Sequence, residues 1–438
     1  MKHPEASWVH IKALMDRSLV KTDDDGHAYT HDILDAHLFR NMSPLDRIEM
    51  HRHCAGFFEE STDGGSLVER TYHLLQAGET ESAARVLTER CQDSIQGGSA
   101  HMMLRMTEGV ESKQLGRGTW AAFPIARSAM QFAIGELWAS MENARQGLSI
   151  SKEVGDVENQ CRALLTLANV DEEVGDKGMG LAHLEQAEGL LDGSSDQHLR
   201  MDLILAMINQ LRKESDHVRG YVYAKKGFEL LDRLKEPALE GRLYTEMASL
   251  YWDADDIPRA IEYSRKAMEI NESSGQLFEL ARSSNTLGLV YEQEHEYDEA
   301  IECFERVVQI SSKLFQRILG IYGSINLAHV QALDGRVDEA IATLDSVRGL
   351  AFEKEVKNII QKIYRTEGII AHARGRPQTT DEKFSRAIEI SAERFPGFSH
   401  KIWSEYIALL LERGDITRAA SELERAWSFL DPQNRAAK

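Results

Sequence analysis

The sequence predicts an all-α protein whose larger part is a superhelix of stacked helical hairpins. Three observations carry that reading. A pattern of small and aliphatic residues returns every 40 residues from about Thr119 to Leu430 without an insertion. Each period holds two apolar-periodic segments of helical length, as in Leu280 to Glu294 and Tyr297 to Ser312. Turn residues separate them: Gly175-Asp176, Asp255-Asp256, Gly335, Gly375 and Gly414-Asp415, where Gly ends one helix and Asp caps the next.

The columns are specific. Ser128, Ala168, Ile208, Ala248, Gly288, Ala328, Gly368 and Ala408 are small in all but Ile208. Twelve residues on, Ser140, Gly180, Gly220, Ala260, Ala300, Ala340, Thr380 and Ala420 are all small. Ten further on, Ile150, Leu190, Leu230, Ile270, Ile310, Leu350, Ile390 and Leu430 are all Ile or Leu. With small residues near a quarter of a typical chain, eight in a row arise by chance on the order of once in tens of thousands. Small residues on both helices let a hairpin close tightly, and the aliphatic column fills the seam to the next one. Such a unit cannot bury its apolar face alone, so neighbours must stack and coil.

Before the repeats, Ser7 to Arg17 reads as a short amphipathic helix. Leu19-Val20 and Ala28-Tyr29-Thr30 read as strands joined by the turn Asp23-Asp24-Asp25-Gly26. A helix follows from Asp32 to about Met42. Ser43-Pro44-Leu45-Asp46 then starts another, through Arg47 to Glu60, with Ser as cap and Pro in the first turn. The chain thus divides into a partial winged-helix segment with a small β-hairpin and following helix over 1–62, a bridging helical region over 63–118, and about eight repeats over 119–438.

Two resemblances sharpen this. Leu287-Gly288, Tyr291, Ala300 and Phe304, and likewise Met247-Ala248, Tyr251, Ala260 and Ala267, sit as the signature residues of a tetratricopeptide repeat sit. That likeness implies a right-handed superhelix, in a longer 40-residue variety. The words Leu14…Asp16-Arg17-Ser18-Leu19-Val20 and Tyr29-Thr30-His31-Asp32-Ile33-Leu34 resemble the winged helix that closes the nucleotide-binding module of STAND-type, NB-ARC-like signalling NTPases. In that family a Met-His-Asp triplet senses bound ADP; His31 and Asp32 match it, and Thr30 replaces Met. His51, Ala55, Phe58, Tyr72-His73-Leu74-Leu75, Gly78 and Ala83-Ala84 resemble the helices leading from such a switch into its repeat sensor. The chain has no GxxxxGK[ST] loop, so the phosphate cradle is missing. The likeness therefore implies a repeat sensor without its P-loop domain, with a P-loop NTPase as a candidate partner.

Composition excludes more than it assigns. Hydrophobic residues are 42% and charged residues 28%, an ordinary soluble balance. A net charge of −20 repels phosphate backbones, so no direct nucleic-acid partner is expected. Cys54, Cys91, Cys161 and Cys303 form no CxxC pair, which argues against structural zinc and for a reducing compartment. No signal core or membrane-length apolar run is present, so a cytoplasmic protein is expected. His51, His53 and Cys54, with His31 and His37, lack the converging ligand set of a zinc site. GxSxG, HExxH and dinucleotide motifs are missing. No enzymatic activity and no cofactor are expected.

The candidate site is the inner wall of the superhelix, where successive first helices line one groove. One column there runs Ala122, Arg162, Asp202, Arg242, Arg282, Tyr322, Lys362 and Ile402, half of it basic in an acidic chain. Such a ladder suits carboxylates or phosphates of a peptide or small ligand. Neighbouring columns add Asn169, Asn209, Asn285, Trp252 and His329. The expected ligand groove is Arg162, Asn209, Arg242, Trp252, Arg282, Asn285, Tyr322 and Lys362. The competing reading pairs these arginines with Glu172, Glu292 and similar residues along their own helices. If the groove is free for ligand, Arg282→Ala leaves stability nearly unchanged. The function read from this is a non-enzymatic sensor and scaffold that holds a protein or peptide. The alternative is a metabolite-binding regulator of transcription acting through another subunit, which stacked aromatics would favour.

Overall fold

The computed structural model describes residues 20–22, 28–30, 42–61, 63–111, 115–174, 178–191, 195–353, 356–394 and 399–430. At its start β1 (Val20–Thr22) and β2 (Ala28–Thr30) pair antiparallel, Val20 opposite Thr30. The helices expected around this ribbon, over Ser7–Arg17 and from Asp32, fall outside the described residues. A lone two-stranded ribbon does not make a winged helix, so that part of the expected fold class finds no support in the structure.

From there the described chain is helical. α1 (Pro44–Phe57) begins as expected: Ser43 Oγ accepts from the Asp46 amide, and the Asp46 carboxylate takes the Ser43 amide in return. α2 (Gly64–Gln76), α3 (Thr80–Glu89), α4 (Cys91–Gln96) and α5 (Ala100–Met106) follow. α3, α4 and α5 pack on α7 (Ala122–Ala133), which the short α6 (Arg117–Trp120) precedes. Phe123, Ala126 and Met130 of α7 share one core with Ala83, Val86, Leu87 and Met103.

Hairpins then repeat: α7 with α8 (Leu137–Val154), α9 (Val157–Val174) with α10 (Met179–Leu191), α11 (Gln197–Lys213) with α12 (His217–Leu234), and α13 (Pro237–Asp253) with α14 (Ile257–Ser273). They continue with α15 (Leu277–Gln293) and α16 (Tyr297–Lys313), α17 (Arg317–Leu333) and α18 (Val337–Glu353), α19 (Lys357–Ala373) and α20 (Pro377–Arg394), and α21 (Ser399–Glu412) and α22 (Ile416–Leu430). First helices start at 157, 197, 237, 277, 317 and 357, the 40-residue step of the sequence.

The small columns form the hairpin seams. Ala260, Ala300, Ala340 and Thr380 are fully buried. A Cβ on Gly288 would lie 2.7 Å from the Phe304 ring, so only glycine admits that ring. In the first hairpin Ser128 and Ser140 each donate to the other's carbonyl, at 2.7 and 2.8 Å, which satisfies both hydroxyls in a dry seam. Turn chemistry follows too: Asp216, Asp256 and Asp415 cap α12, α14 and α22, and Gly335, Gly375 and Gly414 take positive φ. Among the described turns the 40-residue step fails once. From Gly375 to Gly414 it is 39, so Ala419, not the expected Ala420, is buried in the last seam.

What the period does not contain is the closure of the coil. Leu137, Met141 and Leu167 from the first two hairpins lie in one core with Ile321, Ile363 and Trp403 from the last three. α9 packs on α19 across the coil. The bridging region docks beside it: Gln316 Nε2 donates to the Ile95 carbonyl at 2.8 Å, and the His101 ring lies 4.9 Å from that of Phe315. Gly98 comes so near the Leu314 backbone that a Cβ would sit 2.9 Å from its Cα.

Candidate functional site

First helices face the axis of the coil, and at 40-residue spacing their inward side chains stack. Because the coil closes, these side chains meet across a narrow lumen instead of lining an open groove. Charges taken out of water must be paired there.

They are paired between helices. Arg242 on α13 reaches back to Asp202 on α11 at 2.8 Å and forward to Glu279 on α15 at 3.5 Å. Arg282 holds Glu279 at 2.9 Å and also binds Glu246. Arg162 binds Asp196 at 2.9 Å and remains half exposed. Asn209 donates to Glu172 at 3.4 Å, and Asn285 accepts from Asn326 at 3.0 Å. Ile402 is core, not wall. The competing sequence reading had the right carboxylate chemistry but the wrong helices: Glu172 pairs with Lys213, and Glu292 with Arg365. Of these arginines, only Arg282 also uses a carboxylate of its own helix, Glu279.

Three contacts span the lumen itself. Tyr322 donates to Glu173 at 2.6 Å and accepts from Asn358 at 2.6 Å, joining α17 to α9. The Lys401 ammonium on α21 bonds Asp253 at 3.1 Å and lies 3.3 Å from the Trp252 ring centre, while Arg212 holds the same Asp253. Arg365 binds Glu405 at 2.7 Å and Glu292 at 3.3 Å, with His329 3.0 Å from Glu405.

Titration follows from these surroundings. Burial pushes Glu405 up, but Arg365 and His329 outweigh it and bring the carboxyl down to about 2. Burial works against the Arg282 cation as well, and Glu279 and Glu246 overcome it. Glu173 is raised by burial, and Tyr322 is raised by burial and by Glu173. Lys362 differs from the rest. Its ammonium stands 5.8 Å from the Tyr322 ring, and burial followed by Arg365 lowers it to about 8.

Arg282→Ala therefore cannot be neutral, as the sequence suggested, since it takes the arginine from buried Glu246 and leaves buried Glu279 with Arg242 alone. Sequence reasoning also missed Lys213, Asp253, Arg365, Lys401 and Glu405. One signal was available: the column of Asn285 continues to Arg365 and Glu405, adjacent members of opposite charge. The contact between Lys401 and Asp253 had none.

The N-terminal candidates come apart. His31 and Asp32 lie outside the described residues. His51 Nδ1 is 2.8 Å from His73 Nδ1, and His53 faces the Glu49 carbonyl of its own helix. Among the described residues no three His, Cys, Asp or Glu side chains gather to hold a metal.

On the side of the coil away from the lumen, a hollow of about 320 Å³ is lined by Tyr221, Phe228, Met247, Tyr251 and Tyr263. Its rings are linked: Tyr221 to Tyr251 at 5.5 Å, Tyr251 to Tyr263 at 5.2 Å. The sequence reading looked for aromatics only on the inner wall and passed these over.

Residues 239–313 match the tetratricopeptide repeat family. The chain is 28% identical over 162 residues to Tetratricopeptide repeat protein 29 of Homo sapiens, covering 36% of this chain and 33% of that one. It thus spans about a third of that relative. Among solved structures, it is similar to a Signal Transduction ATPase with Numerous Domains (STAND) protein with a tetratricopeptide repeat sensor from Pyrococcus horikoshii. That match has a TM-score of 0.53 and 14% identity over 90% of this chain and 59% of the other. A Rap protein complexed with Competence and Sporulation Factor matches with a TM-score of 0.62 and 12% identity, over 80% of this chain and 98% of that one. Such identities speak for the fold alone. The chain carries a tetratricopeptide repeat region of superhelical build, and among the described residues no helix is long and apolar enough to cross a membrane.

Proposed function

We propose that this chain is a non-enzymatic interaction scaffold and sensor of the cytoplasm, the repeat region of a STAND-type signalling ATPase, and that a protein or peptide engages its concave wall. The single observation behind this reading is the ladder Arg242, Arg282 and Lys362 with Lys401, a set of cations engaged by the chain's own carboxylates except for Lys362, which has no carboxylate within ion-pair distance among the described residues. An acidic ligand segment would compete with those internal carboxylates. It would thereby favour an opened coil over the closed one, a bias set by its differential affinity for the two. The partial winged-helix segment over 1–62 and the bridging region over 63–118 would carry that bias to a P-loop NTPase, and His31 with Asp32 would face its nucleotide. The fold likeness to a STAND repeat sensor supports this assignment.

Capture of partners on the tagged full chain tests it, beside an Arg162→Ala/Lys362→Met variant. Neither cation is the sole partner of a buried carboxylate, so the variant keeps the fold. A P-loop NTPase held by both forms supports attachment through the N-terminal segment. A partner lost only in the variant supports recognition on the inner wall. A saturable catalytic activity, or no specific partner in either form, overturns the proposal.

The tyrosine-lined hollow favours one second reading, a regulator that binds a small ring-shaped metabolite. Under that reading Tyr251→Ala abolishes ligand binding and leaves partner capture intact.

A further inference from the structure

The tyrosine-lined hollow of about 320 Å³ lies in a furrow between α12 and the hairpin that follows it. The repeat brings the same furrow back three 40-residue steps later, between α18 and the hairpin of α19 and α20. There Ile341, Arg348, Glu367 and Lys383 stand in the places of Tyr221, Phe228, Met247 and Tyr263, and they line a second hollow, of about 340 Å³. In this later furrow an ammonium already sits against a tyrosine. Lys383 Nζ is 5.2 Å from the centre of the Tyr364 ring and 2.7 Å from the Glu367 carboxylate, which Arg348 also holds at 3.1 Å. The later furrow thus supplies both a cation and its counter-charge from within the chain.

The earlier furrow has the rings without that cation. Tyr263 takes the place of Lys383, Met247 that of Glu367, and Tyr244 that of Tyr364. Its rings form one array: Tyr221 and Tyr251 meet Tyr263, which lies 5.5 Å from Tyr244, itself 5.8 Å from Phe228. An aromatic face carries negative potential, and the chain's own cations respond to it. Arg259 lies 5.5 Å from the Tyr251 centre and Lys266 5.4 Å from that of Tyr263. Glu229 and Asp232 stand exposed in the lining, and among the described residues neither enters an ion pair. Lys225 is the one cation among the described lining residues, so the hollow carries an excess of negative charge.

We propose that this hollow binds an organic ammonium ion, methylated or quaternary, against the rings of Tyr221, Tyr251 and Tyr263, with Glu229 and Asp232 as its counter-charge. The ion would stand to these rings as Lys383 stands to Tyr364. Methylation decides the class. A bare ammonium or a metal ion gives up its hydration at a cost that rings and a methionine do not repay, whereas a methylated one carries its charge on an apolar surface that suits them. A free ion and the methylated end of a lysine side chain share this chemistry. The inference rests on the second reading above in one respect, that the hollow takes a ligand, and differs from it in requiring a charge.

The test is saturation-transfer NMR titration of the full chain with choline and with neohexyl alcohol, its uncharged isostere in which carbon replaces the nitrogen. Cyclohexanol serves as an uncharged ring, a trimethyllysine peptide as the second source of the cation, and thermal melting as the fold control. The expected result is choline bound about fivefold or more tighter than neohexyl alcohol. Tyr251→Leu and Tyr221→Leu should abolish that preference, Tyr251→Phe should keep it, and Glu229→Gln/Asp232→Asn should weaken choline alone. Tighter binding of the peptide assigns the cation to a modified protein and tighter binding of choline to a free ion, and either supports the inference. Equal affinity for choline and neohexyl alcohol on the parent chain overturns it whatever the variants do. Binding of cyclohexanol alone overturns it and leaves the second reading standing, while no binding of any probe overturns both.

Discussion

On the single helix α15, Gly288 and Arg282 look in different directions and obey different rules. Gly288 faces its own hairpin, where one partner, Phe304, sixteen residues away, decides its identity. Arg282 faces the lumen, where Glu279 on its own helix and Glu246 on the preceding first helix share it. The seam is local and repeats; the lumen is collective, and its contacts reach as far as Glu173 to Tyr322 and Asp253 to Lys401. Packing errors in the seam should damage one hairpin, whereas an unpaired charge in the lumen should loosen the whole coil.

The largest expected effect lies in the lumen. Arg365→Ala leaves Glu292 and Glu405 with His329 as the partner they share, and removing one side of a buried ion pair costs about 3–5 kcal/mol. Urea unfolding gives the loss, and small-angle scattering should show an expanded particle even where the variant is folded. If the particle keeps its dimensions, the cross-lumen pairs do not hold the coil closed. Gly288→Leu comes next, at roughly 1–3 kcal/mol of overpacking against Phe304. Here the scattering profile should stay that of the parent chain, and an expanded one would erase the distinction between seam and lumen.

Lys362 tests the lumen through pH. Its folded pKa of about 8 lies below the unfolded value of about 10.4. Between the two, the unfolded chain binds more protons, so this group makes stability rise with pH across that window. Lys362→Met should then be more stable than the parent near pH 7, with the difference shrinking towards pH 10. A constant difference would mean that the ammonium is solvated. The smallest effect belongs to the turns. Ser215 holds φ 60° between α11 and α12, and Ser215→Gly should add about 0.5 kcal/mol, read as a modest rise in melting temperature. A fall would show that the Ser215 side chain supports the turn.

The seam was open to sequence reading because its partners are close in the chain and the same geometry recurs. Ala260, Ala300 and Ala340 signal one requirement three times, so chance is excluded by repetition alone. The slip to 39 residues escaped because Ala419 and Ala420 are both small and either one fits the column. The lumen escaped for the opposite reason. Arg242, Arg282 and Tyr322 were placed on the inner wall from spacing, but a column of cations looks alike whether it waits for a ligand or already holds a carboxylate.

By itself, then, the sequence determined the hairpin, its 40-residue step, its caps and its tight seams, all of them interactions within reach of one or two helices. Tertiary structure decided whether the coil stays open. Small rotations between hairpins accumulate over many repeats, and only their sum sets Lys401 beside Asp253 and Tyr322 beside Glu173. The same sum turns a ladder of cations into a paired, desolvated interior.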